Sequence, residues 1–141
     1  MIIFEPKERI AEYVIQRIGS DNTPDDLFRY VTIGLIKDNK LVAGLIYYDY
    51  TGTSISVHIG GHPNKRWLTK ELLKVMFHYP FIQLGVNRIT GYVAAKNKDA
   101  IKFDEKLGFV REGVLRKATK DDDLIVYGML REECRWINKE T

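Results

Sequence analysis

The sequence predicts a mixed α/β domain, α+β-like in its element order, with a central mixed sheet and helices on both faces. Three observations predict it. The elements run β-α-α-β-β-β-α-β-α-β-β along the chain. At the centre a strand, a helix and a second strand follow in turn (residues 54–59, 67–84 and 88–95), which calls for one parallel pair joined by a right-handed crossover. On either side, short polar turns join β-rich runs into antiparallel hairpins.

Residues 1–4 read as a short strand. Residues 5–18 form an amphipathic helix, because Ile10, Val14 and Ile18 recur every four residues on one face, and Gly19 is placed to end it. Thr23-Pro24-Asp25-Asp26 has the form of a second helix start: Thr as N-cap, Pro in the first position, acids in the first turn. That helix runs only to about Arg29. Residues 30–37 and 41–50 are β-rich, and Asp38-Asn39-Lys40 turns one back on the other. Residues 54–59 make a third β segment, closed by Gly60-Gly61. Leu68, Leu72, Met76 and Tyr79 then repeat at helical spacing, which predicts a helix over 67–84, broken or kinked at Pro80. Residues 88–95 are a strand. Residues 98–107 are a short helix with Ala100, Phe103 and Leu107 on one face. Asn97 can cap it, Asp99 suits its positive end, and Gly108 suits a left-handed stop. Residues 109–118 and 124–131 close the chain as a hairpin across 119–123. Tyr47, Tyr48 and Tyr50 decorate both faces of their strand, and Trp136 packs on the sheet or on a partner subunit in a homodimer.

Bulk properties narrow the function classes. A chain of 141 residues suggests one domain, 1–141. With 45% hydrophobic and 29% charged residues it has the composition of an ordinary globular protein. A formal charge of +3 without an aromatic-basic platform does not argue for a nucleic-acid partner. One cysteine, Cys134, allows no intrachain disulfide and no thiolate cluster, so the reducing cytoplasm is expected. His62 and His78 lack metal-ligand spacing with acidic partners, and no metal is expected. No apolar run approaches about 18 residues, so no membrane helix is expected. The start Met1-Ile2-Ile3-Phe4-Glu5 lacks the basic opening of a signal peptide, and no phosphate-binding P-loop motif is present. Lys65, Arg66, Lys70 and Lys74 gather positive charge near the start of the central helix. They read either as an anion site or as a solvated helix face.

The run Asn97 to Arg116, Asn-Lys-Asp-Ala-Ile-Lys-Phe-Asp-Glu-Lys-Leu-Gly-Phe-Val-Arg-Glu-Gly-Val-Leu-Arg, resembles the second signature block of the GCN5-related N-acetyltransferases. It is most similar to the branch that acetylates ribosomal-protein N-termini. The resemblance implies an acyl-CoA N-acyltransferase fold with a splayed parallel pair, acetyl-CoA as cosubstrate and an amine acceptor. In that family a helix N-terminus with two small residues holds the pyrophosphate. Here the corresponding run is His62-Pro63-Asn64-Lys65-Arg66-Trp67-Leu68-Thr69, with Asn64 and Arg66 where the two glycines would stand. Asn64 tolerates a left-handed turn. Arg66 can point away, bind phosphate itself or block the site. Arg66-Trp67-Leu68-Thr69 also resembles phage-encoded members, which would place the enzyme in a host cytoplasm. By the same resemblance Asn97 holds the pantetheine arm, or simply caps its helix. Ala100 lets the cofactor pass, and Phe103 on the same face counts with the cofactor-contacting residues. Glu112-Gly113-Val114-Leu115-Arg116 matches the branch, or is a strand with an ordinary charged pair.

The chemistry is less complete. Many members carry a Tyr seven residues after this Asn as acid to the CoA thiolate, and here Asp104 occupies that position. An ionised Asp would repel a thiolate, so the acid is unassigned. His58 and Tyr92 are the candidates for a base, with strand N–H groups at Val57 to Ile59 polarising the carbonyl. An α-amine near pKa 7.8 is roughly 14% neutral at pH 7, against about 0.04% for a lysine amine near 10.4. A chain without an evident base therefore suits a protein N-terminal α-amine, with a small amine as the other acceptor. The rival reading is a catalytically silent binding module of the same fold that has lost normal CoA binding.

Overall fold

The computed structural model describes residues 1–20, 23–24 and 27–137. Seven strands form one sheet in the order β1-β2-β3-β4-β5-β7-β6. They are β1 (Ile2–Ile3), β2 (Val31–Lys37), β3 (Lys40–Tyr48), β4 (Ser54–Gly61), β5 (Arg88–Ala94), β6 (Val110–Leu115) and β7 (Leu124–Leu130). Every pairing is antiparallel except β4 with β5. The mixed fold class is borne out, as is the single parallel pair. The β2–β3 turn needs two left-handed residues, and Asp38 and Asn39 take φ of 53° and 63°.

Helix α1 (Lys7–Ile18) lies on one face and packs on β2, β3 and β4. Its approach is close because glycines face it. A Cβ on Gly44 would sit 2.8 Å from a Val14 methyl, and one on Gly60 would sit 3.0 Å from Cβ of Arg17. Gly19 ends the helix in the left-handed conformation, as expected. The helix expected over 23–29 includes Asp25 and Asp26, which lie outside the described residues. Next to them, Leu27 bonds Pro24 in a turn and Arg29 takes φ of 51°.

Helices α2 (Lys70–His78) and α3 (Lys98–Leu107) cover the other face, over a core that includes Leu45, Tyr47, Leu72, Met76, Phe77, Ile89 and Tyr127. Helix α2 begins three residues later than expected. Thr69 is its N-cap and accepts the N–H of Leu72 at 3.1 Å. The kink expected at Pro80 is a π-turn, Tyr79–Gln83, with the N–H of Leu84 reaching the carbonyl of Tyr79. Pro80 has no N–H to give to the carbonyl of Met76. The buried Tyr47 hydroxyl donates to that carbonyl instead, at 2.6 Å.

Strands β3 and β6 stop earlier than the sequence suggested. Asp49 turns left-handed after Tyr48, so Tyr50 lies outside the strand. Beyond Leu115, the N–H of Lys117 bonds the Asp123 carboxylate at 2.7 Å and widens the turn. Trp136 packs within the chain, stacked on Phe77, and its indole N–H donates to the carbonyl of Leu107 at the end of α3.

Candidate active site

The site originates in the one parallel pair. Strands β4 and β5 are paired only from Ser54–Ser56 to Arg88–Thr90. Past Ser56 and Thr90 they separate, so alternate backbone N–H and C=O groups of residues 57–61 point at a gap rather than at a strand. A cleft of about 930 Å³ fills the gap and runs through the sheet. Splaying of the pair was expected, and it gives the cleft two mouths.

Alternation along each strand sorts its walls. Gly60 faces α1, so His58 does too, whereas Gly61 faces Trp67. On β5, Gly91 faces Asp104 of α3, which turns Tyr92 to the α1 side. The α1 mouth therefore carries Tyr48, Asp49, His58 and Tyr92, with Phe28 and Lys120 also on the cleft wall. The rings of Tyr48 and His58 stack at 4.5 Å. Burial pushes the His58 imidazole down to about 4, against a small opposing pull from Asp49, so it is neutral at pH 7. Burial also pushes the Tyr48 phenol well up, with Tyr92 and Asp49 adding to the shift.

The α3 mouth carries Lys65, Trp67, Asn97, Asp99, Ala100, Phe103 and Asp104. Asn97 caps α3 by accepting the N–H of Ala100 at 3.1 Å, which leaves its side-chain amide N–H₂ available. Lys65, on the loop before α2, bridges to Asp99 at 2.8 Å and lies 5.9 Å from the Phe103 ring. Trp67 and Phe103 meet at 5.8 Å. These contacts join the two lips of the cleft.

The run before α2 is organised differently from the sequence expectation. The left-handed residue is Lys65, at φ 55°, rather than Asn64. The Asn64 side chain accepts the N–H of Arg66 at 2.9 Å, and His62 accepts the N–H of Asn64 at 3.2 Å. Two N–H groups at the place of the expected phosphate loop are thus engaged within the chain. Trp67 is 5% exposed, rests against Gly61 and donates to the carbonyl of His62, which fixes the loop. Of the candidate residues, Val57, His58, Ile59, Lys65, Trp67, Tyr92, Asn97, Ala100 and Phe103 line the cleft. Asn64, Arg66, Leu68 and Thr69 do not. Glu112 forms the ordinary charged pair, holding Arg88 at 2.9 Å across Gly128.

Asp104 needs a correction. The sequence reading takes it as ionised. In the fold it sits beside the point where β4 and β5 part, half-buried, 3.7 Å from where a Cβ on Gly91 would be. Burial, with the Glu105 charge beside it, pushes its carboxyl up to about 7. Its carboxyl therefore takes up and releases a proton near neutral pH rather than staying ionised.

Comparison with known proteins decides the family. No protein-family model matches the chain. The chain is 38% identical over 132 residues to the SPbeta prophage-derived uncharacterized N-acetyltransferase YokL of Bacillus subtilis, covering 88% of this chain and 71% of that protein. This chain belongs to the GCN5-related N-acetyltransferases. A candidate ribosomal N-acetyltransferase of the same bacterium, YdaF, is 27% identical across 93% of this chain and 90% of its own length. Among solved structures, the spermidine N-acetyltransferase SpeG F149A mutant of Vibrio cholerae superposes with a TM-score of 0.66 at 19% identity, over 91% of this chain and 76% of that one. At that identity the likeness is one of fold. The chain is an N-acetyltransferase of this type, and the GCN5-related enzymes use acetyl-CoA. The silent-module reading is not favoured. No helix among the described residues is long and apolar enough to cross a membrane.

Sequence reasoning located Asp104 but missed its burial, and it missed the Lys65–Asp99 bridge and the Tyr48–His58 stack. The spacing of Asp104 from Asn97 marked its position. Nothing in the sequence told of its burial.

Proposed function

We propose that the chain transfers the acetyl group of acetyl-CoA to a primary amine, a protein N-terminal α-amine in preference to a small amine, by direct attack on the thioester. The observation that carries this is the opened seam between β4 and β5, with one mouth on the α3 face and the other on the α1 face. The α3 mouth fits the donor. Unpaired backbone groups of residues 57–61 can hold the amides of its arm, Ala100 leaves room for it, the Asn97 amide can hydrogen-bond it, and Lys65 offers a cation for phosphate. The N–H groups of the first turn of α2 add a positive end.

The α1 mouth fits the acceptor. His58 is neutral at pH 7, yet a group titrating near 4 is a weak base. Such a base gives little help to an ammonium near 10.4 and needs to give less to one near 7.8. Positioning then supplies much of the rate. The test is an acetyl-CoA titration by calorimetry, followed by transfer at pH 7 to an unblocked peptide, an N-blocked lysine peptide and spermidine. Binding with fastest transfer to the unblocked peptide is expected. Absence of binding at millimolar acetyl-CoA would refute the enzyme reading, and faster transfer to spermidine or the blocked peptide would refute the α-amine preference.

A further inference from the structure

We propose that Asp104 is the proton donor to the departing CoA sulfur, taking the place of the tyrosine used elsewhere in the family, on the side of the sheet opposite the base. This rests on the acetyl-transfer reading above. Three facts carry it. The carboxyl lines the cleft on the α3 side and stands beside Gly91, the first β5 residue past the last paired position, where a thioester held between the strands would lie. Among the described residues no hydrogen-bond donor reaches the Asp104 carboxyl. His58 and Tyr92 occupy the α1 side of the same gap. The acceptor's proton and the sulfur's proton are therefore handled on opposite faces, and no single group has to do both.

The surrounding charges keep that carboxyl a proton carrier rather than an ion-pair partner. Glu105, next to it on α3, accepts the Tyr127 hydroxyl of β7 at 2.7 Å and pairs with Arg111 of β6 at 3.4 Å. Lys65, from the loop between β4 and α2, is held by Asp99. Neither Lys65 nor Arg111 is thus paired with Asp104, and burial, with the Glu105 charge adding to it, raises its proton affinity. In the step, the neutral amine nitrogen forms the new C–N bond and the C–S bond breaks. The carboxyl O–H proton passes to sulfur, and the nitrogen loses its extra proton to His58 or water. The carboxylate then regains a proton from solvent. The transfer runs downhill, because an alkyl thiol near 8.5 holds a proton more tightly than a carboxyl near 7.

The test compares wild type, Asp104→Asn and Asp104→Glu. Three readouts are taken: acetyl-CoA affinity by calorimetry, kcat against pH with the unblocked peptide and spermidine, and a carbon-13 NMR titration of the aspartate carboxyls. Asp104→Asn should bind acetyl-CoA within about threefold of wild type, lose about 100-fold in kcat at pH 7, and lose the fall in kcat above neutrality. Asp104→Glu should recover part of the rate, and a carboxyl titrating near 7 should vanish in Asp104→Asn. A kcat within threefold of wild type with the same descending limb would overturn the proposal. So would an Asp104 carboxyl titrating near 4. Wild type that fails to bind acetyl-CoA would instead sink the enzyme reading itself. Should wild type bind acetyl-CoA yet acetylate neither probe, the titration decides: a carboxyl near 7 that shifts on acetyl-CoA binding supports the proposal, and one near 4 overturns it.

Discussion

Tyr47→Phe tests the link between β3 and the kinked helix below the cleft. Pro80 cannot donate to the carbonyl of Met76, and the Tyr47 hydroxyl does so at 2.6 Å in the core. Phenylalanine keeps the ring, including its edge contact with Tyr79 at 5.1 Å, and removes only the donor. A buried carbonyl left without a donor costs about 1–3 kcal/mol. For a domain of this size that corresponds to a fall in Tm of roughly 3–10 °C. Urea unfolding of both proteins, with equal m values, would measure it. Pro80→Ala supplies a helical N–H for the same carbonyl, so Tyr47→Phe in that background should cost less than alone, by about 1 kcal/mol. A loss under about 0.5 kcal/mol in the single variant, or strict additivity in the double, would refute the reasoning.

Asn97→Ala should lose about 1 kcal/mol of stability as well as acetyl-CoA affinity, whereas Asn97→Asp should keep the cap to Ala100 and lose affinity alone; thermal melts beside calorimetry separate the two. A carboxyl raised in the fold means that the folded state holds the extra proton between about pH 4 and 7, so Asp104 costs nothing below pH 4 and costs stability as pH rises from there through 7. Asp104→Asn should therefore be more stable than wild type at pH 8, by on the order of 2–4 kcal/mol, with the gain vanishing near pH 4; equal melts at both pH values would contradict this. His58 has the opposite sign: its lowered value favours the fold above pH 6.5 and the benefit is lost as pH falls through about 4, so His58→Gln should flatten the acid side of the stability curve. Gly61→Ala puts a Cβ 2.4 Å from the Trp67 indole, which should cost about 1–3 kcal/mol and weaken acetyl-CoA binding by displacing the loop that carries Lys65; an unchanged affinity would show that the loop does not serve the donor.

Local signals were legible in the chain itself. The β2–β3 turn was legible because Asp38 and Asn39 tolerate left-handed backbone. The ends of α3 were legible because Asn97 and Gly108 cap through contacts a few residues away. The break at Pro80 was legible because a missing N–H is a property of one residue. The splay itself came from resemblance to the family.

What depended on distant neighbours was not legible. Helix α2 starts at Lys70 because Trp67 folds back on Gly61 and draws the preceding loop with it. Asn64 looked like a glycine substitute, and its side chain instead occupies the N–H of Arg66. By itself the sequence determined the order of the seven strands and of helices α1, α2 and α3, the family and the position of Asn97, since periodicity, caps and motifs are written along the chain. Only the tertiary structure decided the protonation of Asp104 and His58. Those values follow from burial and from charges brought together across the sheet, and no spacing along the chain encodes either.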